Sequence, residues 1–207
     1  MSSRLRHLYR GLEALYQTET GVDPERVVVR RAPQPQGARE LLLLREADDG
    51  ALEVSLVLDA QVLARFEAKT DDGAFADEHL GDAFPVLEGL SHLVYLAEAA
   101  RRERPISGLE LETQAEVDKL GLCVLQRWPP AQDGFDRLVE RLYHRFELHP
   151  MSEALAERYH AANRLALGFS RRLRPHVVQR RLPALREALR EFWGASMQGK
   201  RALADTR

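Results

Sequence analysis

The tripeptide Asp48-Asp49-Gly50 most constrains the fold, because it separates two apolar runs at 40–46 and 51–58. Asp-Gly between apolar runs is the strongest short-range signal for a β-hairpin, since both turn positions need positive φ. The second run is apolar at every second position, namely Leu52, Val54, Leu56 and Leu58. This alternation predicts one buried and one exposed face. We therefore expect an antiparallel hairpin over about 40–58.

Helical periodicity governs most of the remaining chain. A helix is expected over 4–17, a short strand over Arg26–Arg31, and a helix over 60–68 with Asp59 as its N-cap. From residue 76 onward only helices are expected, and the first three cover about 83–102, 108–120 and 135–148. A fourth, long helix is predicted by apolar residues from Leu155 to Leu173 at alternating spacings of four and three, and a last helix begins at Pro183. A turn at Pro175-His176 and a frayed tail from Gly199 complete the prediction.

These elements predict an α+β fold. Residues 1–75 should form an N-terminal helix and a small antiparallel sheet, and residues 76–207 a helical bundle packed with it as one globular unit. The chain has 44% apolar and 30% charged residues, which is typical of a soluble globular protein. It shows no apolar run of the ~20 residues that a membrane span needs and no signal-peptide pattern. The single cysteine, Cys123, is expected to be buried and inert, and a cytoplasmic location is expected.

Basic residues are unusual in kind and in distribution. Of 30 basic residues, 27 are arginine, which indicates a GC-rich bacterial gene and weakens arginine abundance as a sign of phosphate recognition. Residues 1–157 carry 18 basic and 29 acidic side chains, a net charge of −11, whereas residues 158–207 carry 12 and 3, a net charge of +9. Such asymmetry indicates either a contact with a polyanion or acidic and basic parts of one fold packed together.

The turn between the two central helices is well marked. Ser107 and Glu110 have the capping-box spacing, and Ile106 and Leu111 the spacing of a hydrophobic staple. Glu110 is therefore expected to be structural rather than catalytic. Gly121 is expected to end the second helix.

A polar cluster is expected on this helical hairpin. Glu88, Ser91, His92 and Tyr95 form one stripe of the first helix. An antiparallel hairpin would bring Glu116, and Glu112 beside it, to that stripe. Three interpretations are open: a solvated face or structural network; a polar pocket for a partner or ligand; and a metal or acid–base site. The catalytic candidates are His92, Glu88, Glu116 and Tyr95, and the metal candidates are Glu88, His92, Glu112 and Glu116.

The metal interpretation has limited support from spacing. Carboxylate-bridged di-metal bundles use Glu-x-x-His, whereas this chain has a single Glu-x-x-x-His. Zinc-protease, serine-hydrolase, P-loop and dinucleotide motifs are missing from the sequence.

The densest basic residues form the predicted docking surface: Arg171, Arg172, Arg174, Arg180 and Arg181. With no complete catalytic set, the sequence favours a non-enzymatic accessory or regulatory protein that binds another macromolecule, with a protein as the expected partner and no cofactor. One alternative is a metal-binding or acid–base enzyme that uses the Glu/His cluster with a divalent metal. The other is nucleic-acid binding through the basic C-terminal helices, although few aromatic residues accompany the arginines.

Overall fold

A computed structural model describes residues 3–33, 38–46, 52–146 and 151–205. The chain forms two compact units, Met1–Pro105 and Ile106–Arg207. The predicted boundary lay at 75/76; the first unit also contains the long helix that follows it. Among the described residues, no helix combines the length and apolar character needed to cross a bilayer.

The first unit is a small sheet packed with helices. Its elements are α1 (Arg4–Tyr16), α2 (Pro24–Val27), β1 (Val28–Arg31), β2 (Glu40–Glu46), β3 (Leu52–Asp59), α3 (Ala60–Glu67), α4 (Asp71–Ala74), a 3₁₀ turn (Asp77–His79) and α5 (Leu80–Arg101). The α+β fold, the N-terminal helix and the α3 N-cap are confirmed, because the Asp59 carboxylate accepts from the backbone N–H groups of Gln61 and Val62 at 2.8 and 3.0 Å.

The sheet has the strand order β1-β3-β2. Strands β2 and β3 are antiparallel, with Leu41 opposite Val57, which confirms the hairpin; its Asp48-Asp49-Gly50 turn lies outside the described residues. The sheet is nevertheless mixed, since β1 runs parallel to β3 with Val29 beside Val57. The sequence prediction missed this pairing because nothing in a four-residue strand states which edge it joins or in which direction.

Helix α5 is the centre of the first unit. It packs against α1, α3, β2 and β3. Gly89 allows the close approach of the sheet, because a Cβ there would lie 2.6 Å from a methyl carbon of Leu56. Ser91, His92 and Tyr95 are buried, so the stripe predicted on this helix is not a solvated face.

The second unit is a helical bundle. Its elements are α6 (Gly108–Gln126), α7 (Gly134–Val139), a π-helical turn (Glu140–His144), α8 (Glu153–Val178), α9 (Leu182–Gly194) and α10 (Met197–Ala204). Helix α8 packs against α6, α9 and α10. The buried side of α9 contains Leu185, Leu189, Phe192 and Trp193. The Ser107 hydroxyl caps α6 by accepting from the Glu110 N–H at 3.1 Å, and Cys123 is a buried free thiol, both as predicted.

Four predicted boundaries in this unit are wrong. Helix α6 continues through Gly121, which serves packing rather than capping, because a Cβ there would lie 3.1 Å from the Leu189 side chain. Helix α8 continues through Pro175 and ends near Arg180, whose φ is 54°. Helix α7 stops at Val139, where a π-helical turn follows. Residues 199–204 of the tail that was predicted to be frayed lie in α10, and Lys200 is fully buried.

Candidate functional site

The arginines of α8 are arranged by the way this helix packs. Ala162, Ala166, Phe169 and Leu173 are buried in the second unit. Arg164 and Arg171 lie outside this buried stripe and are exposed. Seven residues make almost two full turns, so both arginines point from one face, about 10 Å apart along the axis at 1.5 Å per residue.

Helix α10 supplies a third arginine beside that face. The Ser196 hydroxyl caps the helix by accepting from the Gly199 N–H at 3.3 Å. The Lys200 ammonium donates to Gln114 Oε1 and to the Phe192 carbonyl oxygen, both at 2.6 Å, and lies 4.4 Å from the Phe192 ring centroid. With Lys200 held inward, its neighbour Arg201 is exposed.

A glycine sets the distance between α8 and α10. A Cβ on Gly168 would lie 2.5 Å from the backbone oxygen of Ala204, which is closer than real Cβ contacts come. Only glycine therefore permits this packing without a shift of α10. The position of Arg201 relative to α8 depends on this contact and on the buried Lys200.

Together these helices form a cleft of about 620 Å³, lined by Leu109, Ala161, Arg164, Leu165, Leu167, Gly168, Arg171, Arg201, Ala204 and Asp205. A second cleft of about 640 Å³ shares part of this lining and continues toward the start of α8, lined by Leu109, Ala154, Glu157, Arg158, His160, Ala161 and Arg164. We call the two clefts together the arginine groove. Four arginines and two carboxylates line it, so its formal charge is +2 with His160 neutral.

We call the three central guanidinium groups of the groove uncommitted, meaning that no acidic side chain among the described residues pairs with them. Within the part of the chain that the structure describes, Arg164, Arg171 and Arg201 make no ion pair. Other arginines of the same helices are paired: Arg172 binds Glu191 at 2.7 Å, and Arg174 makes two hydrogen bonds to Asp136 at 2.9 and 2.8 Å. The Arg174 hydrogen bonds lower the pKa of Asp136 below its ordinary value. Arginine is one of the residue types enriched in protein–protein interfaces relative to the rest of the protein surface.

The predicted docking surface is thereby divided. Arg171 lies in the groove, whereas Arg172 and Arg174 are held by acidic residues of their own unit. Arg180 and Arg181 are exposed where α8 ends and before α9 begins. The sequence prediction missed Arg164 and Arg201. The seven-residue spacing from Arg171 could have identified Arg164, but Arg201 depends on an α10 that the sequence prediction left frayed.

The predicted polar cluster has residues in both units. In the first unit, the buried His92 Nδ1 lies 3.3 Å from Glu40 Oε1, a residue that was not among the predicted members of the cluster. In the second unit, Glu112 is buried, and Glu116 accepts from the Lys119 ammonium at 2.7 Å. The pairing of His92 with Glu116 stays a prediction.

Tyr143 adds a further contact near Glu116. Its hydroxyl donates to the Glu116 backbone oxygen at 3.0 Å. Burial raises the pKa of Tyr143 well above its ordinary value, so this hydroxyl remains a hydrogen-bond donor and does not ionise near neutral pH. This hydrogen bond holds the π-helical turn against α6, so the role of Tyr143 is structural.

Comparison of the chain with protein-family models, with curated proteins and with solved structures gives no match.

Proposed function

We propose that this protein is a non-enzymatic accessory or regulatory protein that binds an acidic, amphipathic helix of a partner protein in the arginine groove. The observation that carries the proposal is the set of three uncommitted guanidinium groups, Arg164, Arg171 and Arg201, around an apolar floor. An acidic helix complements both properties, since its carboxylates can pair with the arginines while its apolar face covers the floor.

The dimensions of the groove fit a helix better than a small molecule. Its lining extends along α8 from Ala154 to Arg171. This distance is about 25 Å at 1.5 Å per residue, roughly the length of a 16-residue helix. Carboxylates seven residues apart on the partner would match the spacing of Arg164 and Arg171.

A protein partner also fits the chemistry better than a nucleic acid does. Single-stranded nucleic acids are bound by arginines interleaved with aromatic rings on which bases stack. The described lining of the groove contains no Phe, Tyr or Trp, and it includes the acidic residues Glu157 and Asp205. These carboxylates would repel a nucleic-acid backbone, which carries a phosphate at every nucleotide, whereas an acidic helix can place its carboxylates beside the arginines and away from Glu157 and Asp205.

A labelled peptide tests this proposal. The probe is a designed 16-residue amphipathic helix with Leu on one face and Glu at positions seven apart, and binding is followed by fluorescence anisotropy. We expect saturable binding by the full-length protein and a roughly 10- to 100-fold weaker affinity after Arg164, Arg171 and Arg201 are all changed to Glu, since each surface pair contributes up to ~1 kcal/mol.

The matched probe replaces each Glu of the peptide by Lys and keeps the Leu face. Weak binding of this peptide by the wild-type protein supports the proposal. Equal binding of both peptides, or unchanged affinity in the triple variant with its helical circular dichroism intact, would show that the groove is not the binding surface.

A further inference from the structure

The arginine groove carries charges of both signs in a fixed order along α8. Glu157, Arg164 and Arg171 line the groove, and each lies seven residues after the one before it. Seven residues make almost two full turns, so the three side chains form one row along the helix that drifts by only about 20° per step. Successive members of this row are about 10 Å apart along the axis at 1.5 Å per residue. From the start of α8 toward its end, the row is negative, positive and positive.

We propose that the partner helix carries the complementary row: one basic residue that pairs with Glu157 and two acidic residues that pair with Arg164 and Arg171, at successive seven-residue spacings. The inference rests on the function proposed above and adds to it the charge order of the partner. The partner is then an acidic helix of mixed charge, with its basic residue at one end of the row and not between the acidic ones.

Glu157 is the residue that selects a basic side chain of the partner. It is exposed, and no basic side chain among the described residues forms an ion pair with it. Its neighbour Arg158 also lines the groove, but a Cβ on Gly108 would lie 2.7 Å from Arg158 Nη1, so the Arg158 guanidinium lies against the first residue of α6. An acidic partner residue beside Glu157 would meet a like charge, whereas a lysine or arginine would form a pair.

The rest of the groove favours the acidic residues. Its first cleft is lined by three arginines, Arg164, Arg171 and Arg201, and by one carboxylate, Asp205, so its formal charge is +2. All three arginines are exposed. Carboxylate and guanidinium groups form charge-assisted, frequently bidentate hydrogen bonds, so two glutamates at the spacing of Arg164 and Arg171 would pair with both.

An opposite charge at one end of the row also fixes the register of the partner. A row of three acidic residues could slide two turns along α8 and still place carboxylates beside Arg164 and Arg171. With a basic residue opposite Glu157, the same slide would bring either a carboxylate to Glu157 or the basic residue to Arg164. Like charges would then meet, so the mixed row specifies a single register.

Two labelled helical peptides of the same composition test this inference. Both have the same Leu face and three row residues seven apart. The end-basic peptide has Glu, Glu and Lys in the row, and the middle-basic peptide has Glu, Lys and Glu, which places Lys opposite Arg164 in either direction of binding. By fluorescence anisotropy we expect the full-length protein to bind the end-basic peptide at least fivefold more tightly, since ~1 kcal/mol per surface pair is about a factor of five.

A charge-exchange variant tests whether the row itself is recognised. Glu157→Arg combined with Arg164→Glu keeps the net charge and makes the row positive, negative and positive. We expect this variant, judged folded by circular dichroism, to bind the middle-basic peptide at least fivefold more tightly than the end-basic one. The matched control exchanges two exposed residues of α9 outside the described lining, Arg186→Glu with Glu187→Arg, and should keep the wild-type preference.

Equal affinities of wild type for the two peptides, or a preference that survives the exchange of Glu157 and Arg164, would overturn the inference. If the peptides nevertheless bind, and binding is lost when Arg164, Arg171 and Arg201 are changed to Glu, the proposed function stands without this charge order. Failure of the wild-type protein to bind either peptide would overturn both.

Discussion

At the scale of single residues, the lysines are the most informative side chains. Only Lys69, Lys119 and Lys200 stand among 27 arginines, and two of the three are buried. An ammonium group has three donors on a compact head, whereas a guanidinium has five donors in a plane. The Lys200 ammonium donates to the Gln114 side-chain oxygen and to the Phe192 carbonyl oxygen. An arginine at this position would therefore bury more N–H donors than these acceptors can satisfy.

We predict that Lys200→Arg and Lys200→Ala both lower the free energy of unfolding, by about 2–4 kcal/mol. The arginine would overpack the site, and the alanine would leave a cavity and strand the Gln114 oxygen. Urea denaturation measures the effect, and Arg201→Ala, the exposed neighbour, should change it by no more than ~0.5 kcal/mol. Full stability in Lys200→Arg would show that the buried contacts do not select lysine.

Glu98 gives the first unit a predictable pH dependence. Hydrogen bonds from Arg101 lower the pKa of Glu98 from its ordinary 4.5 to about 2, with Thr18 and Arg102 contributing and burial opposing. The folded pKa is below the unfolded one, so this carboxylate contributes stability above pH 4.5 and loses the contribution as the pH falls from about 5 to about 2.

We predict that Glu98→Gln removes roughly 1–3 kcal/mol of stability at pH 7 and flattens the acid dependence of unfolding. Urea denaturation at several pH values between 7 and 2.5 measures both effects. Glu78→Gln, an exposed glutamate of the same unit, is the control. Parallel acid profiles for wild type and Glu98→Gln would contradict the role given to this carboxylate.

At the scale of secondary-structure elements, two helical glycines differ in what surrounds them, so the same substitution to alanine should have opposite effects on stability. Gly11 lies in α1, and a Cβ added there would meet no atom within 4 Å apart from its chain neighbours and the nearby backbone of its own helix, whereas a Cβ on Gly168 would meet the Ala204 backbone oxygen. We predict that Gly11→Ala raises the free energy of unfolding by about 0.5–1 kcal/mol through helix propensity. Gly168→Ala should lower it by about 1–3 kcal/mol, because α10 must move away from α8.

The same denaturation experiment measures both variants, and each is the control for the other. Gly168→Ala should also weaken binding of the acidic peptide, since it displaces Arg201 from the groove. A stabilising effect of Gly168→Ala would mean that α10 is not held against α8 at this contact.

Local sequence signals predicted an element correctly where the same residues that form the signal also form the turn or the helix cap. The Asp-Gly turn predicted the β2–β3 hairpin, and Ser107 predicted the start of α6. Gly121 misled the prediction because a glycine can serve close packing as well as a helix end, and only the position of Leu189 distinguishes the two. The same limit applies to Glu40, whose proximity to His92 follows from how the strand packs on the helix.

At the scale of the whole chain, charge predicted a docking region but not which arginines are available. The net charge of +9 over 158–207 drew attention to Arg172 and Arg174, which the fold neutralises with Glu191 and Asp136. The acidic partners are distant in sequence, by 19 and 38 residues, so composition alone does not reveal the pairing. In the part of the chain that the structure describes, Arg164, Arg171 and Arg201 of the arginine groove make no such ion pair.

Two charge-matched variants provide the most direct test of the groove. One changes Arg164, Arg171 and Arg201 to Glu, and the other changes three exposed arginines outside the groove, Arg180, Arg181 and Arg186. Both variants alter the net charge equally. The ratio of their affinities for the acidic peptide therefore shows how much of the loss depends on where the arginines lie rather than on the net charge. We predict at least tenfold weaker binding in the groove variant than in the outside variant at about 0.1 M salt, where the screening length is ~10 Å. Equal affinities in the two variants would contradict the assignment of binding to the groove.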